Sequence, residues 1–313
     1  MSTPVIKIEN LVKRYKDLVA VDHFNMEIKE GEIFGLLGPN GSGKTTTINC
    51  ILSLLSFDKG TIEVFGQTMH PDSYDLKRQI GVVMQNVALF DTLTVYENID
   101  YFCGLYIKDK KLRKQYVEDA ISFVELDQFR KFYPKKLSGG LLRRLNIACG
   151  IAHKPKLIIL DEPTVAVDPQ SRNKILEGIL ELNRQGATII YTSHYMEEVE
   201  QICTRIAIMD CGKNIAIGTA DELKQMIKKS EKITIEIQSI AEEHIKNILQ
   251  LPHVYDVEHN NQQLSIQCSG GKHNLIHVLE YLQQHDLPFG RVYSELPTLN
   301  DVFLEVTGKE LRD

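Results

Sequence analysis

The sequence predicts an α/β protein of two domains, a larger one over residues 1–220 and a smaller α+β domain from residue 231 onward, joined by a polar helix over 221–230. Three observations carry this. First, short runs rich in Ile, Val and Leu alternate with amphipathic stretches up to about residue 220, the pattern of strands buried on both faces between helices. Second, the polar stretch "ADELKQMIKKSEK" interrupts that alternation, and the chain beyond it reads β-α-β-β-α-β, the split ferredoxin-like unit. Third, one apolar run leads straight into a loop of three glycines and a proline that ends in Lys-Thr and a helix.

In chain order, "EIKEGEIFGLL" reads as a strand, a Glu30-Gly31 turn and a second strand. The loop follows, then a helix over Thr45–Leu55 with Ile48, Ile51, Leu52 and Leu55 on one face. "IGVVM", "KLIILD", "ATIIYTS" and "RIAIMD" supply further buried strands. Helical patterns cover Val95–Tyr106, Lys111–Val124, Gly140–His153 and Ser171–Arg184. In the smaller domain the strands are "KITIEIQ", "HVYDVEH", "LSIQCS" and "GRVYSE". Its helices run from about Ala241 to Leu251 and through "HNLIHVLEYLQQ". A closing helix "TLNDVFLEVTG" carries Leu299, Val302, Phe303 and Val306 at i, i+3, i+4 and i+7, a stripe that must bury itself on its own domain or across a dimer interface.

The loop Gly38-Pro39-Asn40-Gly41-Ser42-Gly43-Lys44-Thr45-Thr46 has the spacing G-x-x-x-x-G-K-T, the Walker A pattern, between a strand and a helix. Glycines let the backbone curl until several amides point inward, and the positive end of the helix adds to them, so the loop suits a polyanion. Lys44 offers a mobile charge for terminal phosphates, and the Thr45 hydroxyl can ligate magnesium. Phosphoryl transfer also needs a metal carboxylate and a group that positions the attacking water. "LIILDEPT" offers both: Asp161 at the carboxyl end of a strand, and Glu162 next to it. "LSGGLLRR" adds a second anion-binding helix start, with Ser138 as cap and Gly139 and Gly140 exposing amides.

Walker A, "LSGG", "LDEP", "VD" and a late "SH" stand in the order of an ATP-binding cassette (ABC) ATPase, and the chain resembles that family over roughly residues 5–220. The resemblance implies a P-loop domain with a mixed sheet and a helical subdomain, binding ATP and Mg2+. It further implies that Tyr15 stacks on adenine, that Gln85 touches the metal near a transmembrane partner and takes part in catalysis, that Asp168 lies in the loop communicating between two subunits, and that His194 is the switch histidine at the γ-phosphate. Two positions depart from the family: Leu141 follows "LSGG" where a polar residue such as glutamine is usual, and Val165-Ala166-Val167 precedes Asp168 where a glycine or alanine followed by leucine is usual. The closing segment is similar to that of ATPases of daunorubicin-resistance-type exporters. The implied assembly is a homodimer or heterodimer of ATPase chains beneath a separate transmembrane permease, at the cytoplasmic face of the membrane.

Composition narrows the alternatives. The net charge of −6 argues against a nucleic-acid partner. No apolar run reaches the roughly 18 residues of a membrane span, no signal peptide is seen, and the six cysteines form no C-x-x-C pair. A soluble cassette ATPase acting on the ribosome or DNA is the main rival, but soluble translation factors of the family usually carry two cassettes and this chain has one Walker A motif. A GTPase needs Asn-Lys-x-Asp, whereas Asn173-Lys174 is followed by Ile175-Leu176.

Overall fold

The computed structural model describes residues 4–227, 231–270 and 273–307, and the chain divides into two compact units between Thr219 and Ala220. In the first unit β1 (Ile6–Tyr15) pairs antiparallel with β2 (Leu18–Ile28). β3 (Ile33–Leu37) leads to the glycine-rich loop and α1 (Lys44–Ile51), and β4 (Lys59–Val64) and β5 (Gln67–Thr68) follow. The order β2-β1-β4-β5 makes a small antiparallel sheet. Its inward residues Ile6, Ile8 and Phe24 share one buried cluster with Ile48 and Ile51 of α1 and Leu36 of β3. α1 ends at Ile51 and does not run to Leu55, because Ser53 takes a φ of 53° and turns the chain out of the helix.

The large sheet adds β6 (Ile80–Val83), β7 (Leu157–Asp161), β8 (Thr188–Ser193), β9 (Arg205–Asp210) and β10 (Lys213–Gly218), in the order β10-β9-β3-β8-β7-β6. All neighbours are parallel except β9 and β10. β3, β7 and β8 are buried along their whole length, as strands covered on both faces are. Parallel pairing puts the carboxyl ends of β3, β6, β7 and β8 on one edge.

Four of the helices between the strands start on side-chain caps. A four-residue α2 (Tyr74–Lys77) precedes α3 (Val95–Gly104), which begins with a Thr94–Glu97 capping box. Asp109 caps α4 (Lys110–Phe123), Ser138 caps α5 (Gly139–Ile151), and Asp168 with Pro169 at the first turn starts α6 (Pro169–Arg184). α3, α4 and α5 pack on one another as a helical subdomain. α7 (Met196–Ile202) follows β8.

The second unit begins with α8 (Ala220–Gln225), continues through β11 (Glu231–Glu236), α9 (Glu242–Ile248), β12 (Val254–Asn260), β13 (Gln263–Cys268), α10 (Asn274–Gln284) and β14 (Val292–Glu295), and ends in α11 (Leu299–Thr307). The antiparallel sheet β12-β13-β11-β14 has the ferredoxin-like strand order. Ile233, Ile235, Leu264 and Ile266 of the sheet pack with Ile248 of α9 and Val278 and Leu282 of α10. In α11, Leu299, Val302 and Phe303 are buried within one chain and the helix packs on α8, while Val306 stays on the surface. Of the two expected fates of this stripe, the single chain therefore already provides burial. Residues 228–230 of the connecting segment and Gly308 lie outside the described residues.

Candidate nucleotide site

The shared strand edge gathers the predicted residues. β3 delivers Gly38 to Thr46, β6 delivers Gln85, β7 ends on Asp161 with Glu162 beyond it, and β8 delivers His194. A cavity of about 490 Å3 opens here, lined by Tyr15, Leu18, Asn40 to Thr46, Gln85, Glu162 and Cys211. Tyr15, at the end of β1, is half exposed, and the Lys13 ammonium lies 5.2 Å from its ring centre. An aromatic face and a phosphate loop thus share one cavity. Ser42 Oγ, buried beside the loop, has no hydrogen-bond partner, as a site built for a polar ligand would leave it.

Gly43 precedes α1 with φ 106°, and a side chain there would meet the Ala20 carbonyl at 2.5 Å. Only glycine serves at this position, and it leaves the first amides of α1 without a side-chain cap. The Thr45 hydroxyl donates to Asp161 Oδ2 at 3.0 Å and the Thr192 hydroxyl to Asp161 Oδ1 at 2.6 Å. Asp161 is fully buried, so both carboxylate oxygens need these donors. A hydroxyl and a carboxylate held together at the start of α1 form an oxygen set that fits a small hard cation.

Glu162 is the centre of the arrangement. The Gln85 side-chain amide donates to its Oε2 at 3.0 Å, Lys44 Nζ stands 3.4 Å from its Oε1, and His194 Nδ1 stands 3.5 Å from the same oxygen. Its amide donates to the Thr192 hydroxyl at 2.9 Å, and its φ of 48° is a left-handed conformation that costs a non-glycine residue of the order of 1 kcal/mol.

One expectation is corrected. Lys44, read as a mobile charge, is instead buried and held: Nζ donates to the carbonyls of Gly38 at 2.8 Å and Pro39 at 3.1 Å. Burial lowers its pKa, and the Glu162 carboxylate opposes that. Gly140 is buried, and a side chain there would run into Ser171 and Asp168, so only glycine fits the position. Asp168 caps α6: its Oδ1 accepts from the Ser171 amide at 2.9 Å, which lowers its pKa. Ser138 and Gly139 are exposed, Ser138 Oγ accepting from the Leu141 amide at 3.4 Å.

Three polar residues went unread. Thr192 holds Asp161 and Glu162 as described. Glu198 is buried on α7 and accepts from Tyr191 (2.6 Å), Thr164 (2.8 Å) and Ser193 (3.2 Å). Arg143 is buried on α5 with its guanidinium against the ends of β6 and β7. The signal for Arg143 was its place in a stripe with Gly140, Ile147 and Ile151, where a charge is out of character.

A phosphate loop at a strand end, a carboxylate beside its threonine and a second carboxylate beside glutamine, lysine and histidine define a P-loop nucleoside-triphosphate hydrolase. Residues 21–165 match the ABC transporter family, and residues 218–307 match the C-terminal domain of DrrA1-3-like ATP-binding proteins. The chain is 39% identical over 99% of its length to the whole of the linearmycin resistance ATP-binding protein LnrL of Bacillus subtilis (strain 168). It is 33% identical over its full length to 96% of the Nod factor export ATP-binding protein I of Ralstonia nicotianae, and 30% identical to 98% of the daunorubicin resistance ATP-binding protein DrrA3 of Streptomyces coeruleorubidus. Among solved structures, the ATP-binding cassette MJ0796, a post-hydrolysis dimer with ADP and Pi, superposes with a TM-score of 0.63 at 28% identity, covering 68% of this chain and 98% of that one. The chain belongs to the ATP-binding cassette family and is an ATPase subunit of an ABC transporter. Among the described residues no helix is long and apolar enough to cross a membrane.

Proposed function

We propose that this chain binds and hydrolyses ATP to drive export of a drug, antibiotic, peptide or lipid-like molecule, at the cytoplasmic face of the membrane beneath a separate permease. The export and resistance names of its relatives support this over action on ribosomes or DNA. Residues 1–220 serve as the nucleotide-binding domain, 221–230 as connector and 231–313 as accessory domain.

The convergence of Lys44, Gln85 and His194 on Glu162 carries the chemical reading. Tyr15 stacks on adenine, the amides of Gly38 to Thr46 surround the phosphates, and Lys44 moves from the loop carbonyls to the terminal phosphates. Thr45, Gln85 and Asp161 hold magnesium, which when bound neutralises the phosphate oxygens. Glu162 orients the attacking water and takes its proton, held by Gln85, while His194 reaches the γ-phosphate. Ser138, Gly139 and Gly140 of a second ATPase chain, identical or closely similar, complete the phosphate shell, with Asp168 near the contact between chains. The exposure of Ser138 and Gly139 in a single chain supports that role.

ATP affinity measured with and without magnesium tests the metal assignment. Magnesium should tighten ATP binding to wild type and lose that effect in Asp161→Asn. An unchanged magnesium effect in the variant would remove Asp161 from the metal site.

A further inference from the structure

Arg143 has five N–H donors, and all five meet backbone carbonyls. Nε donates to Pro163 O at 2.7 Å. One terminal nitrogen donates to Met84 O and Gln85 O, both at 2.9 Å. The other donates to Asp161 O at 3.2 Å and Glu162 O at 2.8 Å. The acceptors lie on two segments, one after β6 that carries Gln85 and one at the end of β7 that carries Asp161 and Glu162. The donor sits on α5, the helix that Ser138 caps. Its neighbour Arg144 bonds elsewhere, to Val124 O and Glu125.

A buried guanidinium satisfied by carbonyls alone is an unusual use of a charge, since hydrophobic contacts would hold α5 without the desolvation cost. What the fork provides is geometry. It spans two loops at fixed separation, which a lysine with donors on one nitrogen cannot do. It also bonds the residues before and after Glu162 together with Glu162 itself, and Glu162 sits in a left-handed conformation that its surroundings must hold. The side chains of Gln85 and Glu162 then meet at 3.0 Å across the same two segments.

We propose that Arg143 is a positioning residue for hydrolysis: its guanidinium fixes the backbone of Gln85 and Glu162 relative to each other and to α5, so that the orientation of α5 sets the placement of the Glu162 carboxylate. This rests on the assignment of Glu162 as the water-orienting group. A movement of α5, which presents Ser138 to the second chain, is transmitted to Glu162 through five hydrogen bonds without the nucleotide's being touched.

Single-turnover hydrolysis and direct ATP binding in Arg143→Lys, Arg143→Gln, Glu162→Gln and the Arg143→Lys/Glu162→Gln double variant test this. Arg143→Lys should bind ATP within about threefold of wild type and hydrolyse it about 10- to 100-fold more slowly at a temperature where it is folded. In the Glu162→Gln background the same substitution should add less than about twofold, because the group it positions is already gone. Full additivity of the two losses, wild-type turnover in Arg143→Lys, or unfolding of both Arg143 variants at the assay temperature overturns the proposal. Wild-type turnover in Glu162→Gln alone sinks the Glu162 assignment and this inference with it. A slow Glu162→Gln beside an unaffected Arg143→Lys sinks the inference only.

Discussion

Gly139 and Gly140 are adjacent and face opposite demands. A side chain at Gly139 would come no nearer than 3.8 Å to the Ala166 carbonyl, whereas one at Gly140 would meet Ser171 Cβ at 2.7 Å and Asp168 Oδ2 at 3.0 Å. Ser171 and Asp168 form the first turn of α6, so they cannot retreat without undoing its cap. Gly140→Ala should therefore destabilise the protein by about 1–3 kcal/mol, while Gly139→Ala should be within about 0.5 kcal/mol of wild type. Denaturant unfolding of the two variants checks this, and equal stability would refute the packing argument. At this scale, the side chains gathered at the strand edge were legible: Lys44, Thr45, Asp161, Glu162, Gln85 and His194 stand on short motifs at or just beyond strand ends, and their chemistry shows in the residue type. What Gly140 and Arg143 do was not legible, because packing against Ser171 and bonding to Met84 and Pro163 join segments distant in sequence.

His153 lies just past the end of α5, where it ties that helix to the strand beneath. Its ring stacks on Tyr106 at 3.8 Å, its Nε2 lies 3.3 Å from the Ile80 carbonyl, and burial pushes its pKa down to about 4. The imidazole is neutral in the fold and takes up a proton more readily in the unfolded chain, so its contribution is complete above the ordinary histidine pKa of 6.5 and is lost as pH falls from there toward 4. The loss is of the order of 3 kcal/mol. His153→Phe keeps a ring against Tyr106, so its stability should fall less than wild type between pH 6.5 and pH 4; parallel pH profiles would contradict this. Among the elements, β3, β7 and β8 were legible because strands buried on both faces read as short runs rich in Ile and Leu. The first sheet was not: β1 and β2 alternate with Lys, Arg, Asp and Glu, and their irregular pairing breaks a strict two-residue period. α7 has seven residues and no side-chain cap, too little for a periodic signal.

At the scale of the whole molecule, two units carry separate cores, and the residues assigned to ATP all lie in the first. The second unit's strand order was readable because its turns and helices alternate cleanly, but the packing of α11 on α8 joins the two ends of that unit's sequence. In the first unit the nucleotide edge exists because parallel strands bring four loops to one side, and the helical subdomain is bound to that edge through α5. The central claim is that Glu162 at this edge drives ATP hydrolysis while Lys44 and the glycine loop hold the nucleotide. Turnover and retained ATP should therefore separate in one substitution. Measured with magnesium and the membrane partner present, Glu162→Gln should keep ATP bound while hydrolysing it about 10²–10⁴-fold more slowly than wild type; turnover at the wild-type rate would contradict the account.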